Sequence, residues 1–267
     1  MASVILTDDV DDPRLDDFRD LSSADRRPDR PGGKGLVIAE GTVVVRRLLD
    51  SAYPVRALLG VRRRIDELAP ELDGVPVPAY VTSAQLMAEV VGFHLNRGVL
   101  AVADRAPERS AAELAADARL LAVTEGVGDH ENLGSLFRNA AALGVDGVLL
   151  GGGCADPLYR RSVRVSMGHV LLVPHAPVAP WPDGLRTLRE HGFRVVAMTP
   201  RSSAVPLPDA GLAGRKVALL FGSEGQGLSD AARAAADMEV RIPMVHGVDS
   251  LNVATSAAVA FYALGAR

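Results

Sequence analysis

Residues 219–229, Leu219-Leu220-Phe221-Gly222-Ser223-Glu224-Gly225-Gln226-Gly227-Leu228-Ser229, run from an apolar segment into a glycine-rich loop and then to a serine able to open a helix. With Val217 and Ala218 ahead of it, the apolar segment reads as a strand buried on both faces, as in a parallel sheet covered by helices. The loop has glycine at 222, 225 and 227, which lets backbone approach a ligand closely. Glu224 stands in its middle, at the carboxyl end of the strand, where open α/β sheets bind ligands. Glycines that serve only a turn are the other reading, and a carboxylate in the middle of the loop makes it the weaker one.

Outward from this stretch the apolar pattern keeps alternating. Strands are predicted at 120–124, 147–150, 170–173, 193–198, 217–221 and 238–242, with helices at 133–143, 156–163, 184–190, 229–236 and 252–264 between and after them. Such alternation predicts a C-terminal parallel sheet with helices on both faces, covering residues 119–267. A smaller α/β unit is expected over 35–104, from segments at 36–39, 42–49, 55–59, 63–68, 75–80, 84–90 and 99–103. Residues 105–118 read as a linker with helical tendency. Residues 1–34, charge-dense and broken by Pro13, Pro28, Pro31 and the Gly32-Gly33-Lys34-Gly35 run, read as an acidic leader or arm with one short helical candidate at 15–21.

The 267 residues are 48% apolar and 23% charged with mean hydropathy +0.15, enough to build a core and to exclude a disordered chain. The net charge is −4, but residues 1–20 hold seven Asp and two Arg, so the acidity is local and does not exclude a nucleic-acid partner. Lys34 and Lys216 are the only lysines among 29 basic residues. Arginine suits phosphate recognition, and a GC-rich coding bias gives the same count. A single cysteine, Cys154, fits a reducing compartment, and with no signal pattern and no membrane-length apolar run the expectation is a cytoplasmic protein.

Other chemistries lack their motifs. Gly126-Val127-Gly128 follows a predicted strand, but the third glycine of a dinucleotide fingerprint is missing, which sets aside a nicotinamide-dependent oxidoreductase. There is no phosphate-binding loop of the Walker type, and Gly222-Ser223-Glu224-Gly225 lacks the spacing of a nucleophile elbow. No His-Glu-x-x-His pair occurs and no metal site is expected. His169 and His175 flank a buried-looking strand, where capping or core hydrogen bonding is the simpler role.

Two further segments carry chemistry. In Asn132-Leu133-Gly134-Ser135-Leu136-Phe137-Arg138-Asn139-Ala140 the apolar residues share one helix face, leaving Asn132 near the cap and Arg138 off that face. In Ile242-Pro243-Met244-Val245-His246-Gly247-Val248-Asp249-Ser250-Leu251-Asn252 a strand ends at a proline, and Ser250 or Asn252 is placed to cap the alanine-rich helix that follows. A capped helix with a solvated arginine accounts for the first segment taken alone.

In this order, the three segments resemble the motifs of the SpoU (TrmH-like) family of RNA ribose 2′-O-methyltransferases, in the SPOUT superfamily, over residues 120–264. The resemblance implies a sheet whose C-terminal part threads into a trefoil knot, an exception to unknotted topology. It also implies S-adenosylmethionine held by Thr199, Gly222, Ser223, Gly225, Ile242, Met244 and Leu251, and a catalytic set of Asn132, Arg138, Glu224, Ser250 and Asn252. Residues 35–41 and 92–98 resemble, more loosely, the ribosomal-protein-like RNA-binding domain that precedes many such catalytic domains. The implied substrate is RNA, large-subunit (23S) ribosomal RNA ahead of tRNA. A non-catalytic knotted RNA-binding protein is the rival, against which the intact motif residues speak. The family's dimeric habit implies a homodimer through Val253, Ala257, Ala260, Phe261 and Leu264 of the last helix. Arg160, Arg161 and Arg164, at helical spacing, form a basic strip open to two readings, an RNA-backbone contact or a solvated helix face.

Overall fold

The computed structural model describes residues 3–21, 35–245 and 248–265. Pro28, Pro31, Gly32, Gly33, Lys34, His246 and Gly247, on which some of the sequence expectations rest, lie outside them. The chain divides into two compact units, residues 1–107 with 158–172 and residues 108–157 with 173–267. It therefore passes between them three times. This division differs from the sequence boundary at 119: the second unit begins at 108, and residues 158–172 group with the first.

The first unit holds strand β1 (Ser3–Leu6), β2 (Val37–Glu40), helix α1 (Thr42–Leu49), β3 (Val55–Gly60), α2 (Arg62–Glu67), α3 (Ala69–Leu72), β4 (Pro78–Val81), α4 (Ala84–Val91) and β5 (Val99–Ala103). Its sheet runs β1-β4-β3-β5-β2, with β5 antiparallel to both neighbours. β5 is buried along its whole length. Helix α4 begins at Ser83, whose hydroxyl accepts from the Leu86 amide at 3.1 Å, and ends at Gly92 with φ 79°, a left-handed cap that glycine adopts without strain.

Over residues 3–21 the acidic leader is not an arm. β1 adds in parallel to β4, and a 3₁₀ turn at Pro13–Phe18 puts Leu15 and Phe18, both fully buried, against Tyr80, Met87 and Val91. Asp12 accepts from the Thr7 hydroxyl at 3.0 Å and from Arg14, whose guanidinium holds the carboxyl well below the usual range. Charge density masked two apolar anchors.

The second unit contains α5 (Ala111–Asp117), β6 (Leu120–Thr124), α6 (His130–Ala142) and β7 (Gly147–Leu150). The chain then leaves for α7 (Arg160–Val165), which belongs to the first unit. It returns for β8 (His175–Pro177), α8 (Arg186–Glu190), β9 (Arg194–Met198), β10 (Val205–Pro206), β11 (Val217–Phe221), α9 (Asp230–Ala234), β12 (Met238–Arg241) and α10 (Val253–Gly265). The sheet, β10-β12-β9-β11-β6-β7-β8, is parallel throughout. Leu121, Val123, Leu149, Val195 and Leu220 form one core with Leu114 of α5, Leu188 of α8 and Ala232 of α9. On the opposite face Phe221 meets Phe261 of α10 edge-on at 5.6 Å, and α10 packs along α6.

The helical tendency read over 105–118 is realised as α5, because Ser110 and Glu113 form a reciprocal capping box and Leu114 and Ala115 are buried. The predicted strand at 170–173 is a 3₁₀ turn at His169–Leu171, preceded by Gly168 at φ 84°; the strand begins only after Pro174, with His175 opposite Val148. Among the described residues no helix is long and apolar enough to cross a membrane.

Candidate functional site

The loops after β6, β9, β11 and β12 meet at the carboxyl edge of the second unit's sheet. Asp129 caps α6, accepting from the Asn132 amide at 3.2 Å, and this sets Asn132 on the first turn. Asn252 caps α10 in the same manner: its Oδ1 accepts from the amides of Ala254 at 2.9 Å and Thr255 at 3.2 Å. That fixes which way its amide faces. Its Nδ2 consequently donates, to Asn132 Oδ1 and to Glu224 Oε1, both at 2.8 Å. Asn132 then has its own Nδ2 left to donate to the same Glu224 oxygen, at 2.7 Å. One carboxylate oxygen thus gathers two amides from two helix starts, and among the described residues no hydrogen bond reaches Oε2 of Glu224.

Beside this hub lies a cleft of about 530 Å³, within the range of small-molecule sites. Thr199, Gly222, Ser223, Gly225, Ile242, Met244 and Leu251 all line it, as do Glu224, Ser250 and Asn252. The glycine loop closes on itself, the Gly227 amide donating to Ser223 O at 3.0 Å. Arg201 and Arg233, which the sequence reading passed over, also face the cleft. Arg233 is braced by Leu228 O at 3.0 Å and Glu239 at 3.3 Å. Arg201 stands two residues beyond Thr199, a proximity that could have flagged it.

Arg138 is not brought to the hub within the chain. It is exposed on α6, six residues past Asn132, hence about 9 Å along the axis and turned well away from it. Leu133, Leu136, Phe137 and Ala140 bury the opposite face, as the sequence predicts. Asn139 beside it donates to Ala254 O at 2.9 Å, tying α6 to α10.

The basic strip divides. Arg160 is half-buried, with its guanidinium 4.4 Å from the Phe93 ring centre and 3.6 Å from Glu40, and burial pulls its pKa down against the opposing pull of Glu40. It packs within the first unit, whereas Arg161 and Arg164 are exposed. Of the last-helix residues expected at a partner, Leu264 is half-buried and the others point inward. Val253, Ala257, Ala260 and Phe261 are buried in the chain's own core, while Thr255, Val259 and Tyr262 face outward.

Fold and cleft define an α/β protein whose second unit has a parallel sheet with a small-molecule-sized cleft beside one glycine-rich loop at its carboxyl edge. The chain belongs to the SpoU rRNA Methylase family, whose sequence profile matches residues 119–262. A relative from Mycobacterium tuberculosis, an uncharacterized tRNA/rRNA methyltransferase, is 62% identical over 256 residues, covering 95% of this chain and 89% of that one. Among solved structures, the SpoU methyltransferase AviRb from Streptomyces viridochromogenes in complex with AdoMet is similar with a TM-score of 0.78 at 25% identity, over 94% of this chain and 96% of that one. An RNA 2′-O ribose methyltransferase is similar with a TM-score of 0.74 at 26% identity, over 98% and 97%.

Proposed function

We propose that this chain transfers a methyl group from S-adenosylmethionine to a ribose 2′-hydroxyl of RNA, large-subunit ribosomal RNA before tRNA. The observation that carries the reading is the Asn132–Glu224–Asn252 hub at the edge of the glycine-walled cleft. The residues fit the cofactor: the cleft is of small-molecule size, Gly222, Gly225 and Gly227 offer bare backbone, and Ser250 adds a hydroxyl. When bound, the cofactor supplies a methyl group on a positively charged sulfur. The hub fixes the ribose in line, with the second oxygen of Glu224 as an acceptor for a sugar hydroxyl. Arg138 binds the adjacent phosphate through its planar fork; as a base it would have to lose a proton that guanidinium keeps at any ordinary pH.

The trefoil knot belongs to the same reading. Strand β12 pairs with β9 rather than with β11, which precedes it, and α10 then returns to α6. Incubation with labelled cofactor and unmodified ribosomal RNA should give alkali-resistant dinucleotides. Label confined to bases overturns the ribose assignment; absence of transfer to both ribosomal RNA and tRNA leaves the non-catalytic binding protein.

A homodimer completes the proposal. Tyr262 is 70% exposed and Val259 39%, and together they make an apolar stripe on the outer face of α10. Tyr262→Asp should convert a dimer to a monomer by light scattering with little change in melting temperature. A wild-type monomer with full activity would contradict it.

A further inference from the structure

We infer that Glu125 is a positioning residue that sets the cofactor loop 222–228 from beneath. It follows β6 directly, and its amide donates to Phe221 O at 2.9 Å, so its main chain is fixed beside the point where the glycine loop begins. Its carboxylate holds the point where that loop ends. Oε2 accepts from the Ser229 amide at 2.8 Å, and Oε1 accepts from the Ser229 hydroxyl at 2.8 Å. Ser229 in turn caps α9, its Oγ accepting from the Ala232 amide at 3.1 Å.

A third donor comes from elsewhere in the unit. The indole Nε1 of Trp181 donates to Oε1 at 2.6 Å. Trp181 lies on a glycine shelf: a β-carbon at Gly151 would sit 2.6 Å from its ring, and one at Gly152 3.5 Å away. The Gly152 carbonyl accepts from the Gly126 amide at 2.9 Å, and a β-carbon at Gly126 would come within 3.2 Å of Ser223 Cβ. Glu125 thus joins three loop ends by direct bonds, yet it does not line the cleft. Whatever it does for the ligand it does through the loop.

An ionised carboxylate only accepts, and every neighbour of this one donates. Glutamine has nearly the same shape but brings an NH₂ that must face either the Ser229 amide or the Trp181 indole N–H, donor against donor. The inference rests on the cleft taking S-adenosylmethionine, and the test separates the two. With the full-length protein, Glu125→Gln should raise the Kd and KM for S-adenosylmethionine by roughly tenfold or more while kcat at saturation stays within about twofold. Adding Trp181→Phe removes the clashing indole N–H and keeps a ring on the shelf, so the double variant should recover much of the lost affinity. Trp181→Phe alone should shift the same constants in the same direction by less, which keeps the idea testable if Glu125→Gln fails to fold. Hydrogen exchange at residues 222–229 should quicken in Glu125→Gln even if wild type proves not to bind this cofactor, an outcome that overturns the cofactor reading alone. Unchanged Kd with a lower melting temperature, or a fall in kcat with Kd unaltered, would overturn the positioning role of Glu125.

Discussion

Gly222→Ala should abolish measurable binding of S-adenosylmethionine by calorimetry and lower the melting temperature by several degrees. A β-carbon at 222 would stand 2.0 Å from the Gly227 carbonyl carbon and 2.1 Å from the Leu228 amide nitrogen. Both are main-chain atoms, so no side chain can swing aside. The two limbs of the loop must part, and the second limb leads straight to Leu228, buried in the core, and to Ser229 at the cap of α9. Overpacking of this kind costs about 3 kcal/mol, and the wall of the cleft moves with it. Gly225→Ala is the contrast. That glycine has φ 84° with open space around it, so alanine there meets backbone strain of about 1 kcal/mol but no collision. Cofactor binding retained in Gly222→Ala would mean that the loop does not wall the ligand site.

Most of the second unit was legible because its strands are continuous apolar runs ending in turns of distinctive chemistry. Leu120–Thr124 and Val217–Phe221 fall where the pattern puts them, and they pair residue for residue. The cluster of Asn132, Glu224 and Asn252 was reachable only through the resemblance. Composition says nothing about two amides, 92 positions before and 28 positions after Glu224, meeting on one of its oxygens. What escaped has physical reasons. Residues 158–172 were assigned by their place in the chain, and only tertiary packing groups Val163 and Val170, both buried, with the other unit. For Arg160, helical spacing with Arg161 and Arg164 suggested one solvated face, whereas Phe93 and Glu40 draw the first of the three inward.

Arg138→Ala should keep the fold, the oligomeric state and the S-adenosylmethionine affinity measured for wild type, and lose turnover by roughly a hundredfold or more. Its exposure on the polar side of α6 means removal costs about 0.5 kcal/mol at most. Arg138→Lys keeps the charge without the bidentate fork, so it should stay severely impaired if the fork orients phosphate and ribose, and recover if charge alone matters. The distance of Arg138 from its own chain's hub makes a sharper claim possible, that it serves the cleft of a second copy. Mixing Arg138→Ala with Gly222→Ala subunits tests this directly; Thr199→Trp, which fills the cleft, replaces the glycine variant if that chain is too unstable to mix. Each variant alone should be inactive. If the arginine acts across the dimer, the mixed dimer contains one intact cleft faced by one intact arginine, and activity returns on mixing. If it acts within its own chain, no mixed dimer has both parts in the same place, and mixing restores nothing. Near-normal turnover in Arg138→Ala would return the residue to an ordinary solvated position on a capped helix.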